Sequence, residues 1–203
     1  MGILSGALTV RRFRVVGDLH EGWRDVYRDR LNEFAFKDPG IDVGKEEIEG
    51  WVQVHNLLDT DFSDFNQWLY NDLMLFSLRV DKKSLPAKLF AATLQKRCEA
   101  WCAEKDVERC PSAVKTELKE ELESEWLKRT LPRVAVTEAC WNVGKNYVVL
   151  HSLSQGTAER FKKRFHRTFG HKLVPWSPLD WLPDQGLVEG MLATSPVSFG
   201  GQE

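Results

Sequence analysis

The stretch LTVRRFRVVGDLHEGWRDVYRDRLNEFAF, from Leu8 to Phe36, changes its hydrophobic period partway along, and that change sets the fold class. From Leu8 to Val16, Arg11, Phe13 and Val15 alternate with Val10, Arg12, Arg14 and Val16. A period of two predicts a strand, with Phe13 and Val15 on one face and Arg12 and Arg14 side by side on the other. Gly17-Asp18 interrupts it. From Glu21 to Phe36 the apolar residues return at helical spacing, with Trp23, Val26 or Tyr27, Leu31 and Phe34 on the inner stripe. A half-buried strand followed by an amphipathic helix points to a layered α+β domain.

Working outward, 37–50 reads as a polar loop holding Pro39, Gly40 and Gly44. A second strand is predicted from Gly50 to Leu58, then a turn-rich stretch from Asp59 to Gln67, where Asp59, Asp61, Ser63 and Asp64 offer caps and Asx turns. Leu73 to Val80 reads as a third strand. Pro86, a favoured first-turn residue, opens a long helix running to about Lys105. Pro111-Ser112 opens a second, closing near Leu131-Pro132, so 86–131 forms a helical hairpin. Two strands follow, Arg133 to Asn142 and Asn146 to Ser152, joined at Val143-Gly144-Lys145. Thr157 to Phe169 is predicted as a helix stopped by Gly170, with a final strand at Lys172 to Trp176.

The element order is β-α-β-β, then α-α, then β-β-α-β. It predicts an α+β fold of mostly antiparallel sheets, in two mirrored flanks joined by the long αα-hairpin, with one domain over 1–182 and a flexible tail over 183–203.

Composition narrows the functional classes. The 203 residues are 42% hydrophobic and 29% charged, enough for one domain with a sizeable core. No run of about 18 uncharged apolar residues is present. Met1 to Val10 is short for an export signal, and its arginines follow the apolar segment, so a cytoplasmic protein is expected. Cys98, Cys102, Cys110 and Cys140 are then expected as free thiols. With no CxxC pair and no histidine between Cys98 and Cys140, neither a metal nor another cofactor is predicted.

The net charge of −2 conceals a polarised chain. Between Gly156 and Trp176, Arg160, Lys162, Lys163, Arg164, Arg167 and Lys172 face a single acid, Glu159. Between Cys98 and Glu125 there are nine acids and four bases. Arg160, Lys163, Arg164 and Arg167 stand at i, i+3, i+4 and i+7, which aligns them on one helix face. Phe161, Phe165 and Phe169 would dock another face on the sheet. A row of like charge repels itself unless an anion offsets it, and phosphate is the commonest such anion. The same row could instead answer the acidic hairpin within the molecule. Arg12 and Arg14 are second-rank phosphate candidates. Lys82, Lys83, Lys128, Arg129 and Arg133 rank third.

Several segments carry a family likeness. "GALTVRRFRVVGD" with "GWRDVYRDRLNEFAF", then "GWVQVHN", then "LRVDKKSLP" opening the long helix, resemble the recombination-associated RdgC proteins in order and local pattern. "LKRTLPRVAV" and "KLVPWSP" continue the likeness across about Ser5 to Leu182. The resemblance implies a nucleoid-associated homodimer, built as a ring with a basic central hole. Such a ring binds double-stranded DNA with little sequence preference and limits the RecA recombinase. Members with that ring run further at the C-terminal end, so an open dimer or another assembly is the expected alternative to closure. The family offers no short motif that fixes an individual residue.

Two competing readings remain. "VVGDLHEG", Val15 to Gly22, looks like the strand-end Asp-x-His of calcineurin-like metallophosphoesterases, with Asp18 and His20 as metal ligands. The partner motifs of that fold are missing, and Asp18 serves equally as a cap for the following helix. No GxSxG, P-loop, HExxH or GxGxxG is present, and His151 with Cys140 lacks a third orienting group, so no catalysis is expected. The other reading is a protein-interaction scaffold that uses the acidic hairpin and exposed tryptophans.

Overall fold

The computed structural model describes residues 2–4, 6, 8–38, 40, 47–177 and 185–194. Its strands are β1 (Arg11–Val16), β2 (Glu47–Val52), β3 (Leu69–Tyr70), β4 (Leu73–Lys82), β5 (Arg133–Asn142), β6 (Tyr147–Leu150) and β7 (Lys172–Pro175). Its helices are α1 (Trp23–Glu33), α2 (Ala87–Lys105), α3 (Ser112–Arg129), α4 (Gln155–Phe169) and α5 (Gln185–Ala193). The fold is α+β, as the alternation of periods predicts.

The two flanks do not make two sheets. They merge into one seven-stranded antiparallel sheet ordered β2-β4-β5-β6-β1-β7, with β3 added to β4. The opening strand β1 inserts between β6 and β7, pairing Phe13 with Val148 on one side and Val15 with Leu173 on the other. Such placement depends on pairings far apart in the chain, which no local period encodes.

One face of this sheet carries α1 and α4. Phe13 and Val15 from β1, Trp51 from β2, Met74, Phe76 and Leu78 from β4, Trp141 from β5 and Val148 from β6 meet Tyr27, Leu31, Phe161, Phe165 and Phe169. The Phe161, Phe165 and Phe169 stripe docks α4, as its spacing predicts. Each fully buried phenyl contributes about 1.5–3 kcal/mol relative to exposure. On α1 the inner residue is Tyr27, fully buried, whereas Val26 is exposed.

Several boundaries shift. β2 begins at Glu47, inside the stretch read as a polar loop, and ends at Val52 rather than Leu58. Its partners across the ladder are Lys82 to Ser77 of β4. Gly50 is needed there because a Cβ would collide with the backbone of Phe36, whose amide donates to the Trp51 carbonyl at 2.9 Å. α1 is capped by Gly22 in the left-handed region, so Asp18 is not its cap. α4 starts with Ser154, whose hydroxyl accepts from Thr157 N–H, and ends at Gly170 with φ 77°. The short β3 and the helix α5 have no counterpart in the sequence reading. α5 falls within the stretch expected as a tail, and 195–203 lies outside the described residues.

The hairpin of α2 and α3 is held by its own seam. Leu94, Leu122 and Leu127 are buried, and the Phe90 and Trp126 rings meet edge-on at 5.6 Å. Arg97 bonds Glu125 at 2.6 Å. At its base the buried Lys83 ammonium donates to the Leu127 carbonyl at 2.7 Å, near the C-terminus of α3. A cation there also suits the helix dipole.

Candidate nucleic-acid interface

The structure separates the predicted cations into two groups with different surroundings. On α4, the side chains of Arg160 and Arg164 meet β2. Glu47 and Glu49 share the face of β2 that carries Trp51, and so lie beneath α4 at its edge. Arg160 hydrogen-bonds Glu47 and lies 3.6 Å from Glu49. That hydrogen bond holds the Glu47 carboxyl below its ordinary range and raises the Arg160 guanidinium.

Arg164 is deeper. It donates to the carbonyls of Phe34 at 2.9 Å and Glu49 at 3.1 Å, and its side chain is only 11% exposed. Its Nε has no partner among the described residues. Burial pulls its pKa down, a cost the Glu49 carboxylate partly offsets. These two arginines fasten α4 to the sheet edge, so half of the predicted row is spent within the fold.

The other half is not. Lys163 and Arg167 are exposed, and the Arg167 guanidinium lies over the Phe34 ring at 5.7 Å. Lys162 bonds Glu159 one turn back.

The second group lies on the opposite face of the sheet. Arg12 and Arg14 point away from the core, as the alternation in β1 requires, and both are exposed. Arg12 stands beside Val149 of β6, and Arg14 between Tyr147 of β6 and Val174 of β7. Val16 pairs with Lys172, which brings that exposed lysine onto the same face. The Tyr147 and Trp176 rings meet at 5.4 Å across this end of the sheet, and the Trp176 amide donates to the Arg12 carbonyl. Among the described residues no acidic side chain pairs with Arg12, Arg14 or Lys172. The cations of β1 and β7 thus lie together over apolar and aromatic neighbours.

Third-rank residues scatter. Lys82 and Arg133 are cross-strand neighbours at the far end of β4 and β5, with Lys82 3.8 Å from Glu47. Lys83 is buried at the base of the hairpin. Lys128 is exposed, and Arg129 reaches Glu125 at 3.4 Å.

Asp18 and His20 lie at the end of β1, both exposed. The His20 ring is 5.9 Å from that of buried His171, whose Nε2 is 2.6 Å from the Tyr27 hydroxyl. Burial lowers the His171 pKa and pushes Tyr27 up to about 12. Among the described residues no group of three or more His, Cys, Asp or Glu side chains could hold a metal ion. Also among those residues, no helix is long and apolar enough to cross a membrane.

The antiparallel sheet thus carries two helices on one face and an exposed row of cations on the other. The family described as "Putative exonuclease, RdgC" matches residues 12–181, and the chain belongs to this RdgC family. A comparison with curated proteins found no match.

Proposed function

We propose that this protein binds double-stranded DNA through its phosphates, with little sequence preference and without cleaving it. The observation that carries the reading is the row of Arg12, Arg14 and Lys172 on the exposed sheet face, with no acidic partner among the described residues. Adjacent outward positions of one strand stand about 6.6 Å apart along the backbone, from a rise of about 3.3 Å per residue. That lies close to the spacing of successive phosphates along a strand. Lys163 and Arg167 are a secondary site, and Lys82 and Arg133 a peripheral one. Membership of the RdgC family supports association with DNA, a homodimer in the cytoplasm or nucleoid, and a role in modulating RecA-type homologous recombination.

The family description also names an exonuclease, and one experiment separates the two activities. End-labelled duplex is titrated with protein at low and near-physiological salt, with and without a divalent cation, and the DNA is then resolved on a denaturing gel. The binding reading expects salt-sensitive, sequence-tolerant retention and intact strands. Shortened strands only when the metal is present would overturn the non-catalytic part. No retention even at low salt would overturn the whole reading and favour the interaction scaffold.

A further inference from the structure

We propose that Cys98 and Cys110 are a paired thiol–disulfide exchange site that takes a small disulfide such as oxidised glutathione and closes the free end of the helical hairpin. This inference is independent of the DNA reading and rests on the geometry where α2 turns towards α3.

Cys98 lies within α2, and Cys110 in the loop just before α3. The chain reverses at Asp106, in the left-handed region with φ 50°, and the Val107 amide donates back to the Cys102 carbonyl. The reversal returns Cys110 against the side of α2. There both cysteines line one surface cavity with Leu94, Arg109 and Lys115, and the Cys110 thiol lies 3.7 Å from the Pro111 carbonyl. Both cysteines are partly exposed, so a tripeptide disulfide can reach them. The flanking Arg109 and Lys115 suit the carboxylates of glutathione.

The other cysteines differ. Cys102 is one turn further along α2 and does not line the cavity. Cys140 is on β5, where burial pushes its thiol up and away from reactivity.

The two thiols have different parts in the exchange. The Cys98 thiol is held up, first by burial and then by Cys110 beside it. Cys110, in the loop rather than on a helix, is the thiol that reacts first. Its thiolate attacks one sulfur of oxidised glutathione, giving a mixed disulfide and releasing one glutathione, which takes up a proton. Cys98 then loses its proton, attacks the Cys110 sulfur and expels the second glutathione. Two protein thiols are oxidised to one disulfide, and one oxidised glutathione is reduced to two thiols.

The bond would tie α2 to the loop where the hairpin has no buried side chain of its own, since 103–109 is exposed throughout. It closes a short loop and restrains the hairpin end that the Leu94–Leu122 seam leaves free.

The test uses the full chain in glutathione buffers of increasing oxidised fraction, quenched by alkylation and mapped by peptide mass spectrometry. The expected result is a Cys98–Cys110 cross-linked peptide pair, with Cys102 and Cys140 still alkylated, reversed by dithiothreitol. Cys98→Ser should instead accumulate a single glutathione adduct on Cys110, while Cys102→Ser cross-links like the parent. Trypsin cleavage after Lys105 and Arg109 should slow in the oxidised protein and recover on reduction. Stable adducts on both cysteines without a cross-link, or a bond involving Cys102, would overturn the proposal. So would cross-linking only between chains. The mapping of the unaltered protein decides this even if a serine variant folds poorly.

Discussion

Two arginine pairs, one on α4 and one on β1, have the same chemistry and opposite fates. Arg160 and Arg164 are four apart on a helix, and Arg12 and Arg14 two apart on a strand, so each pair shares a face. The helical pair meets Glu47, Glu49 and two backbone carbonyls of the sheet edge. The strand pair meets valines, a tyrosine and solvent. A cation row is thus a statement about geometry, and its role depends on whether the fold brings acids to it. The first pair holds a helix in place, whereas the second is left to find an anion elsewhere.

The sharpest way to break this comparison is to reverse the charge of Arg164, the more buried of the helical pair. Arg164→Glu places a carboxylate beside Glu49 and leaves two carbonyls without their donor. Removing one partner of a fully buried ion pair costs about 3–5 kcal/mol; with Glu49 32% exposed the loss should be smaller, yet still clear by chemical denaturation. A variant as stable as the parent would mean that Arg164 is not an anchor.

Next in size is Arg12→Glu with Arg14→Glu. Duplex affinity measured by fluorescence anisotropy should fall by at least about tenfold, and the slope of log affinity against log salt should flatten by about one for each phosphate no longer neutralised. The denaturation midpoint should barely move, since these side chains are exposed. Unchanged DNA affinity would remove the sheet face from the interface.

Lys163→Glu with Arg167→Glu should give a smaller loss of affinity, with the melting temperature nearly intact, because these exposed cations flank the anchored arginines. A loss greater than that of the β1 double variant would return the primary DNA site to α4.

The smallest effect belongs to Glu47. Its folded pKa is depressed by the hydrogen bond from Arg160, so its stabilising contribution is present above the unfolded carboxylate pKa of about 4.3. That contribution is lost as the pH falls through the lower folded value. Glu47→Gln should flatten this part of the acid-stability curve and slightly lower stability at neutral pH, since a partly exposed pair is worth little. An acid limb identical to the parent's would show that the pair adds nothing measurable.

Local structure is readable wherever one period dominates. The outward Arg12 and Arg14, the inward Phe13 and Val15, the Phe161–Phe165–Phe169 stripe, the proline start of α2 and the Gly170 stop all follow from residue type and spacing. β2 escapes such a reading for a physical reason. Its Glu47 and Glu49 point inward to meet arginines, so the strand lacks the apolar alternation that marks a core-facing strand. The charge run Arg160–Arg167 is legible as a helix face, but not as one divided between anchoring and exposure. The signal able to resolve it is the Glu-x-Glu of 47–49, two acids at strand spacing that can answer two bases at helix spacing.

By itself, the sequence determined the fold class, most element identities and the face on which each chemical group would stand, because these depend on neighbours a few residues away. Only the tertiary structure decided that β1 enters between β6 and β7, that the two flanks share one sheet, and that Glu47 and Glu49 lie under α4 while the β1 arginines meet no acid among the described residues. Those outcomes depend on which strands pair and in which register. Pairing is selected by burying one common core over the whole chain, and no local pattern carries that information.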